Sequence, residues 1–489
     1  MSNHRPIIAF EGGNPSIEGK AGHFDLQQET CNREATQVQR DHKPLENRVI
    51  PISSLPNELL SSIFEHGQLH SMSRENLPFE ILVSHLNRRL RAVAIRTRLL
   101  WVKIDISLTT PFDKVMAYLQ RSGTFTIDLS VNIDTQPHPD SEHNARSAAL
   151  LYTCAGWAIV MSEMIRCRRF YGRFGENHSR SLQDMIGSLH AVKAPHLEYF
   201  RIESLCQSSQ HDTGPHRKIL NGGAPSLKTI LIDGWGLHQC LPPLTVITSL
   251  TLFPASYLML WSDLREILSG NLTLTFLTIG DIFAEPLFDD FESGIFLPSL
   301  QTLRIFINEM NGSPFIDDVL MAISAPRLKC LLLDHVIEVD LANTPQSYPQ
   351  LQDTERFPNL RHLIICLNRE QKVSQESWST FFSVFPHITH FTLQSQADED
   401  IWTEPLTMTL AICLIGPLIL PSLDTLSFNK ICATTVTSLC HLVTMREAAG
   451  HRLRSLYLPA TIVHDGTLTD SIGHLRRWVE VKEFQLDDI

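Results

Sequence analysis

Ala224-Pro225-Ser226-Leu227-Lys228-Thr229-Ile230-Leu231-Ile232 is the stretch on which the fold turns. A proline-containing lead sets a turn. Leu227, Ile230 and Ile232 then follow as L-x-x-L-x-L, a spacing that puts the fourth and sixth positions on one side of a strand. Near-copies of the lead recur, as Ala-Pro-x-Leu at 194, 224 and 325, Leu-Pro-Ser-Leu at 297 and 420, and Phe-Pro at 357 and 385. The whole pattern returns at Leu197-Phe200-Ile202, Leu227-Ile230-Ile232, Ile247-Leu250-Leu252, Leu274-Leu277-Ile279 and Leu300-Leu303-Ile305. It continues at Leu328-Leu331-Leu333, Leu360-Leu363-Ile365, Ile388-Phe391-Leu393, Leu423-Leu426-Phe428 and Leu453-Leu456-Leu458. First positions lie 20 (227 to 247) to 35 (388 to 423) residues apart, and self-similarity at such a period marks a repeat architecture.

Helix-like pieces fall between the predicted strands: Ser262 to Leu268 stopped by Gly270, Ile316 to Ile323, and Val436 to Ala449 stopped by Gly450. One strand and one helix per unit predict an α/β leucine-rich-repeat solenoid, parallel strands inside and helices outside, with an irregular arc because the spacing is irregular. The alternation begins upstream. Val102, Ile104 and Ile106 read as a strand, Phe112, Val115, Met116 and Leu119 as a helix ended by Ser122-Gly123, and Phe125, Ile127, Leu129 and Val131 as a strand. Leu151, Ala155, Ile159, Ser162 and Ile165 read as a further helix. The solenoid is therefore expected over 102–474, with 475–489 (Trp478, Val479, Val481 and Phe484 among them) as a C-terminal cap. Solvated insertions are expected at Ser204 to Gly223, Asp281 to Phe296, His335 to Phe357 and Gln394 to Pro405. Residues 1–49 lack sustained apolar periodicity and read as a disordered lead.

Between lead and repeats lies SLPNELLSSIFEHG, 54–67, then LVSHLNRRLRAVAIRTRLLWVKIDI, 82–106. Ser54 as N-cap, Glu58 in the first turn and Gly67 past the end predict a short helix. Leu55, Leu59, Leu60, Ile63 and Phe64 would form its single apolar face. Leu82, Leu86, Leu90 and Val93 continue as a second helical pattern, with Arg88, Arg89 and Arg91 on the solvated side. This succession of Leu55-Pro56, Glu58, Leu59-Leu60, Ile63-Phe64, Val83-Ser84, Arg88-Arg89 and Trp101 resembles the F-box, most closely that of F-box proteins abundant in fungi. It departs from the family pattern at Leu90, where Trp is usual, and at Asn87, where Cys is frequent. The resemblance implies a small helical F-box at 50–101 that docks a Skp-type adaptor, and through it a cullin-RING ubiquitin ligase. It implies Leu55, Pro56, Leu59, Leu60, Ile63, Phe64, Val83, Ser84 and Trp101 as the residues of adaptor contact and F-box packing.

Composition narrows the classes of function. The chain has 489 residues, 43% hydrophobic and 19% charged, as expected of a folded protein. Its 41 Lys and Arg stand against 53 Asp and Glu, a net −12 that argues against a partner bound by phosphate neutralisation along a nucleic acid. The ten cysteines show no C-x-x-C pair, and Cys330, Cys366 and Cys413 have apolar or strand-like neighbours, so buried reduced thiols in cytoplasm or nucleus are expected rather than disulfides or zinc fingers. No signal peptide opens the sequence, so the sequons Asn177-His178-Ser179 and Asn271-Leu272-Thr273 are expected to stay unmodified. The apolar run Leu406 to Leu420 is shorter than a bilayer span and is broken by Gly416-Pro417, which predicts a buried helix and strand rather than an anchor. No phosphate-binding, zinc-protease, nucleophile-elbow or kinase motif occurs, and the 22 histidines do not pair at ligand spacing. No catalytic residue, cofactor or metal is therefore assigned.

What remains is surface. The third and fifth positions of each repeat strand are expected to face the concave side, the binding side of such arcs. That lane carries Tyr199, Arg201, Phe276, Arg304, His362, His390 and Tyr457, with Phe306 two residues past Arg304. Aromatics and Arg dominate binding hot spots, and these eight are the predicted partner-binding residues. The expected function is a non-catalytic substrate receptor of a Skp-cullin-F-box ligase, for ubiquitin-dependent degradation of an unknown target. The alternative is a protein-interaction scaffold that recruits no ligase.

Overall fold

The computed structural model describes residues 51–70, 77–107, 110–133, 157–175, 179–205, 218–234, 240–253, 261–280, 294–307, 315–343, 356–367, 373–395, 406–407, 409–410 and 419–485. The chain divides between Leu100 and Trp101 into two compact units.

The first unit is helical, with α1 over Asn57–His70, α2 over Phe79–Leu86 and α3 over Arg88–Arg96. Helix α1 starts three residues after Ser54, its first backbone bond running from Leu60 to the Pro56 carbonyl at 3.1 Å. It also continues through Gly67, which therefore does not end it. A Cβ at Gly67 would lie 2.5 Å from the ring of Phe79, so a side chain there would have to displace that ring. The predicted single helix through Leu82 and Val93 is two helices. Asn87 is extended, at φ −156 and ψ 170, and its side chain accepts from the Leu90 N–H at 2.9 Å, capping α3.

Leu60, Phe64, Val83, Leu90, Val93, Ala94 and Leu100 are buried and form the core of this unit. Polar ties fix the helices around it. Arg89 donates to Asn57 Oδ1 and to the Leu55 carbonyl, Thr97 Oγ1 to Ser61 Oγ at 2.9 Å, and Gln68 Nε2 to the Leu100 carbonyl at 2.9 Å.

The second unit is α/β and is built on a 14-stranded parallel sheet. Its strands are β1 Lys103–Ser107, β2 Ile127–Ile133, β3 Cys167–Phe174, β4 Tyr199–Ser204, β5 Thr229–Asp233, β6 Ser249–Leu252 and β7 Phe276–Gly280. After the short β8 (Ile295–Phe296) come β9 Thr302–Phe306, the short β10 (Ile323–Ser324), β11 Cys330–Val336 and β12 His362–Leu367. The sheet ends with β13 His390–Ser395, β14 Thr425–Phe428, β15 Ser455–Leu458 and β16 Glu480–Glu483. Spatial order follows chain order, with β8 and β10 set aside as a separate parallel pair.

All ten L-x-x-L-x-L segments lie on strands that neighbour one another, and every residue at their first, fourth and sixth positions is at most 4% exposed. The leads are turns. The N–H of the first position returns to the carbonyl three residues earlier, as in Leu227 to Ala224 (3.2 Å), Leu300 to Leu297 (3.3 Å), Leu328 to Ala325 (3.0 Å) and Leu360 to Phe357 (3.1 Å). Proline next to that carbonyl presets the dihedral the turn needs. The same position aligns from strand to strand, for example Thr302↔Cys330↔His362↔His390.

Helices alternate with these strands, among them Phe112–Ser122, Ser179–Leu189, Trp261–Ser269, Phe315–Ala322, Gln375–Ser383 and Ala433–Ala448. Gly123 and Gly450 follow two of them with φ of 59 and 79. Four strand and helix assignments extend the sequence analysis. Strand β3 follows the pattern around Ile159, which ends near Met164. The insertion after His335 carries a short helix, Glu338–Asn343. The closing segment supplies a helix, Thr469–Trp478, and then β16, which pairs with β15.

Residues 1–49, the insertions over 206–217, 281–293, 344–355 and 396–405, and most of the apolar run at 406–420 lie outside the described residues. Among the described residues no helix is long and apolar enough to cross a membrane.

Candidate partner-binding surfaces

Two surfaces are candidates, one in each unit. In the first, α1 does not have the one apolar face its sequence suggests. Leu60 and Phe64 point inward, while Leu59 and Ile63 are 52% and 43% exposed. Both pairs are spaced by four, so each forms its own stripe. Helix α2 divides likewise, with Val83 and Ser84 buried and Leu82 and Leu86 47% and 60% exposed. Pro56 is exposed and Leu55 half-buried. Of the residues implied by the resemblance, Leu60, Phe64, Val83 and Ser84 thus pack, and Pro56, Leu59 and Ile63 are free to touch a partner. Leu82 and Leu86 join that outward set. Trp101 belongs to the second unit, where its ring meets Tyr118 edge-on at 5.0 Å and the Arg121 guanidinium lies 4.2 Å from its centre.

The second surface is the strand face bearing the third and fifth positions. Tyr199, Arg201, Phe276, Arg304, Phe306, His362 and Tyr457 are half-buried on it and His390 is exposed. The fifth position does not stay open along the whole face. Thr251, Thr278, Ile364, Thr392 and Ser427 are buried there. One cause is visible at Thr392, whose hydroxyl lies 3.1 Å from His362 Nε2, so the third-position ring covers it.

Three groupings divide the face. Around β3 to β5, the Tyr171 hydroxyl donates to the Glu203 carboxylate, which also pairs with Arg201, whose guanidinium lies 5.2 Å from the Tyr171 ring. Burial pushes the Tyr171 hydroxyl up from its ordinary range, with Glu203 adding to it, and burial followed by Glu203 does the same to the Asp233 carboxyl. Arg201 is therefore already engaged within the protein. Around β9 and β11, Arg304 pairs with the buried Asp334, and His335 Nδ1 is 3.3 Å from that carboxylate. Phe306 lies 4.6 Å from the His335 ring and 5.6 Å, edge-on, from Phe253. Phe306 and Arg304 are thus brought together, while Tyr457 stands apart against Lys482, 5.6 Å from its ring.

The third grouping centres on His362 and His390, whose rings are 5.8 Å apart on neighbouring strands. Burial, with His390 adding to it, lowers the His362 imidazole to about 4. The two histidines line a cleft of about 780 Å³ with Arg327, Lys329 and Arg361, completed by Gln301 and Asn359. None of these last five was singled out from sequence. Gln301, Lys329 and Arg361 occupy the second repeat position, each an ordinary solvated residue taken alone. Aligning the ten repeats in a column would have found them, since Lys329 and Arg361 fall in successive units ahead of His362 and His390.

Cys167 and Cys366 are buried, and burial pushes both thiols up to about 12, which suits packing rather than nucleophilic attack. Cys413 lies outside the described residues. Asn271 is 2% exposed and its Oδ1 accepts from Thr273 N–H at 3.1 Å, which closes that sequon to modification in the folded chain. Asn177 and His178 of the other lie outside the described residues. Among the described residues no three of His, Cys, Asp and Glu converge as a metal site. No family model matches the chain and no curated protein is similar to it.

Proposed function

We propose that the chain is a non-catalytic, substrate-recruiting subunit of a Skp-cullin-F-box type ubiquitin ligase. The helical unit is an F-box that docks a Skp-type adaptor. The ten repeats, with the flanking strands, form a leucine-rich-repeat solenoid whose strand face holds the target protein. Acyl transfer belongs to other subunits, and this chain contributes proximity and orientation. A cytoplasmic or nuclear site of action agrees with the free, buried Cys167, Cys240 and Cys366.

The observation that carries this reading is the exposure of Leu59, Ile63, Leu82 and Leu86 on α1 and α2. Burying a leucine side chain gains about 1.5–3 kcal/mol over leaving it in water, so four left out on two short helices point to a partner. They stand on the segments that carry the F-box resemblance. Asn87 supports the same unit, because capping α3 is a structural task that an amide performs directly.

Affinity purification of the full chain with a Skp-type adaptor tests this. The wild type is expected to retain the adaptor, and Leu59→Ala with Ile63→Ala to lose it by about tenfold or more, as truncation of interface anchors does. Equal retention by the double variant, or a wild-type chain that takes up no adaptor, would leave the scaffold alternative in place of a ligase subunit.

A further inference from the structure

Apolar side chains are not spread evenly over the strand face. At its third, fifth and seventh repeat positions, Leu231, Phe253, Phe276, Phe306 and Leu332 follow one another from β5 to β11, all half-buried. Toward the ends of the sheet polar residues stand in the same register, Ser130 and Asn132 on β2, Thr425 on β14 and Ser455 on β15. The middle of the face is therefore its apolar part.

Gly280 explains how that part is built. Ile279 pairs with Leu252 and Gly280 with Phe306, so the glycine lies between Phe253 and Phe306 in the ladder. It has no side chain to hold the rings apart, and they meet edge-on over it with their centres 5.6 Å apart. Two rings from strands that are not neighbours thus form one pad, partly in solvent.

Asp233 borders the pad. Ile232 pairs with Leu252, which sets Asp233 beside Phe253 on the next strand. Its neighbour on the other side is Glu203, whose carboxylate accepts from Tyr171 and pairs with Arg201, and Arg173 follows beyond Glu203 in the register. Asp233 has neither a hydrogen bond nor an ion pair among the described residues. Burial, and after it Glu203, raises its carboxyl above the usual range, as befits a carboxylate short of compensating charge. At the far side of the pad the other charges are closed, Arg304 being paired with Asp334. The strip therefore lacks one positive charge, at one end.

The chemistry of that end selects the cation. A guanidinium can pair both oxygens of a carboxylate while its plane lies against an aromatic ring, whereas an ammonium offers a compact point charge. Asp233 beside Phe253 presents both features. Among the described residues no three ligating side chains converge, so a metal ion is not what the carboxylate awaits. Spacing adds a second requirement. Neighbouring strands are about 4.8 Å apart, and two residues of an extended chain advance about 6.6 Å with their side chains on one face, so an apolar side chain two positions from the arginine reaches the pad.

We propose that Asp233 and the Phe253 and Phe306 rings hold an arginine side chain of the protein that the chain recruits, in an extended segment with a large apolar residue two positions away. This deepens the reading of the strand face as the target-holding surface and rests on it.

The test uses the full chain and two fluorescent peptide pools with randomised flanks. Leucine is fixed two residues to either side of a central residue, which is arginine in one pool and citrulline, its uncharged isostere, in the other. Both directions of binding are thereby covered. The arginine pool is expected to bind about tenfold or more tighter than the citrulline pool. Its binding is expected to resist an equal concentration of free arginine, to fall to the citrulline level in Asp233→Asn and to keep its preference in Asp233→Glu. Phe306→Ala leaves the carboxylate in place and is expected to weaken both pools. Circular dichroism checks that the variants fold. Displacement by equal free arginine would assign the site to a small-molecule cation and overturn the proposal. So would undiminished binding by Asp233→Asn or by Phe306→Ala, or no preference between the pools on the wild type. Adaptor retention is measured on the same preparations. Absence of the arginine preference with adaptor retained removes this proposal alone, whereas a preference without any adaptor removes the ligase reading alone.

Discussion

In the strand unit the aliphatic residues of the repeat are out of water everywhere, at most 4% exposed at the first, fourth and sixth positions of all ten units. In the helical unit residues of the same type are shared between inside and outside, Leu60, Phe64 and Val83 buried beside Leu59, Ile63, Leu82 and Leu86 in solvent. A sheet strand offers one face to the core, and a period of two sends every alternate residue there. A short helix with a narrow core contact has room for only one stripe, so a second aliphatic stripe on it is surplus to folding. Leucine in the repeats accounts for architecture, and leucine on the outer stripes of α1 and α2 is left in solvent, where the proposed adaptor would cover it.

The largest effect that would test this contrast lies in the sheet. Leu303 is fully buried on β9, and Leu303→Ala should cost about 2–5 kcal/mol, the range for removing a buried leucine side chain. In a sheet assembled from sequential neighbours the loss should be local. Hydrogen exchange should rise first in β7, β9 and β11 and spread less to β1 and β15. A cost below about 1 kcal/mol, or protection lost evenly from end to end, would mean that the repeat positions are not the core they resemble.

Within the strand face, His362 supplies a second and smaller effect. Its folded value of about 4 lies below the ordinary 6.5, so between these pH values the unfolded chain binds the proton and the folded one does not. Stability is therefore full above about pH 6.5 and declines as pH falls toward 4, by no more than about 3 kcal/mol from this group. Denaturant titrations of wild type and His362→Gln across that window should converge at pH 7.5 and separate at pH 4.5, with the variant less acid-sensitive. Parallel curves would show that the imidazole is not held neutral.

How much of this was legible follows from the same contrast. The ten repeat strands were legible because each carries three apolar residues at fixed spacing after a turn-forming lead. Strand β3 was not, since Arg168, Arg169 and Arg173 dilute the pattern and its large core side chains are only Phe170 and Phe174, with Cys167 at its start. The exposed β16, with Glu480, Lys482 and Glu483 around Val481, has the charged, short character of an edge strand. In the helical unit, periodicity alone ran Leu82, Leu86, Leu90 and Val93 into one helix, because the break depends on one extended residue, Asn87. Gly67 reads as a stop in sequence, because the ring of Phe79 packed beside it comes from another helix. On the strand face the aromatic and arginine residues were legible one by one. Their engagement was not, since Arg201 with Glu203 and Arg304 with Asp334 are pairs that only packing brings together.

The smallest effect is the sharpest probe of the contrast. Leu82→Gln with Leu86→Gln changes two leucines at once, as drastic a substitution in composition as any in the repeats, yet both side chains are largely in solvent. If α2 buries only Val83, Ser84 and Glu80, the double variant should unfold within about 0.5 kcal/mol of wild type, the usual range for surface positions. Glutamine keeps the length and helix propensity of leucine, so α2 itself should not melt. Chemical denaturation followed by circular dichroism gives the comparison, and light scattering should show less self-association in the variant because two apolar side chains leave the surface. A loss of 2 kcal/mol or more would place these leucines in the fold after all, and with them the outer stripe of α2 would cease to be a surface.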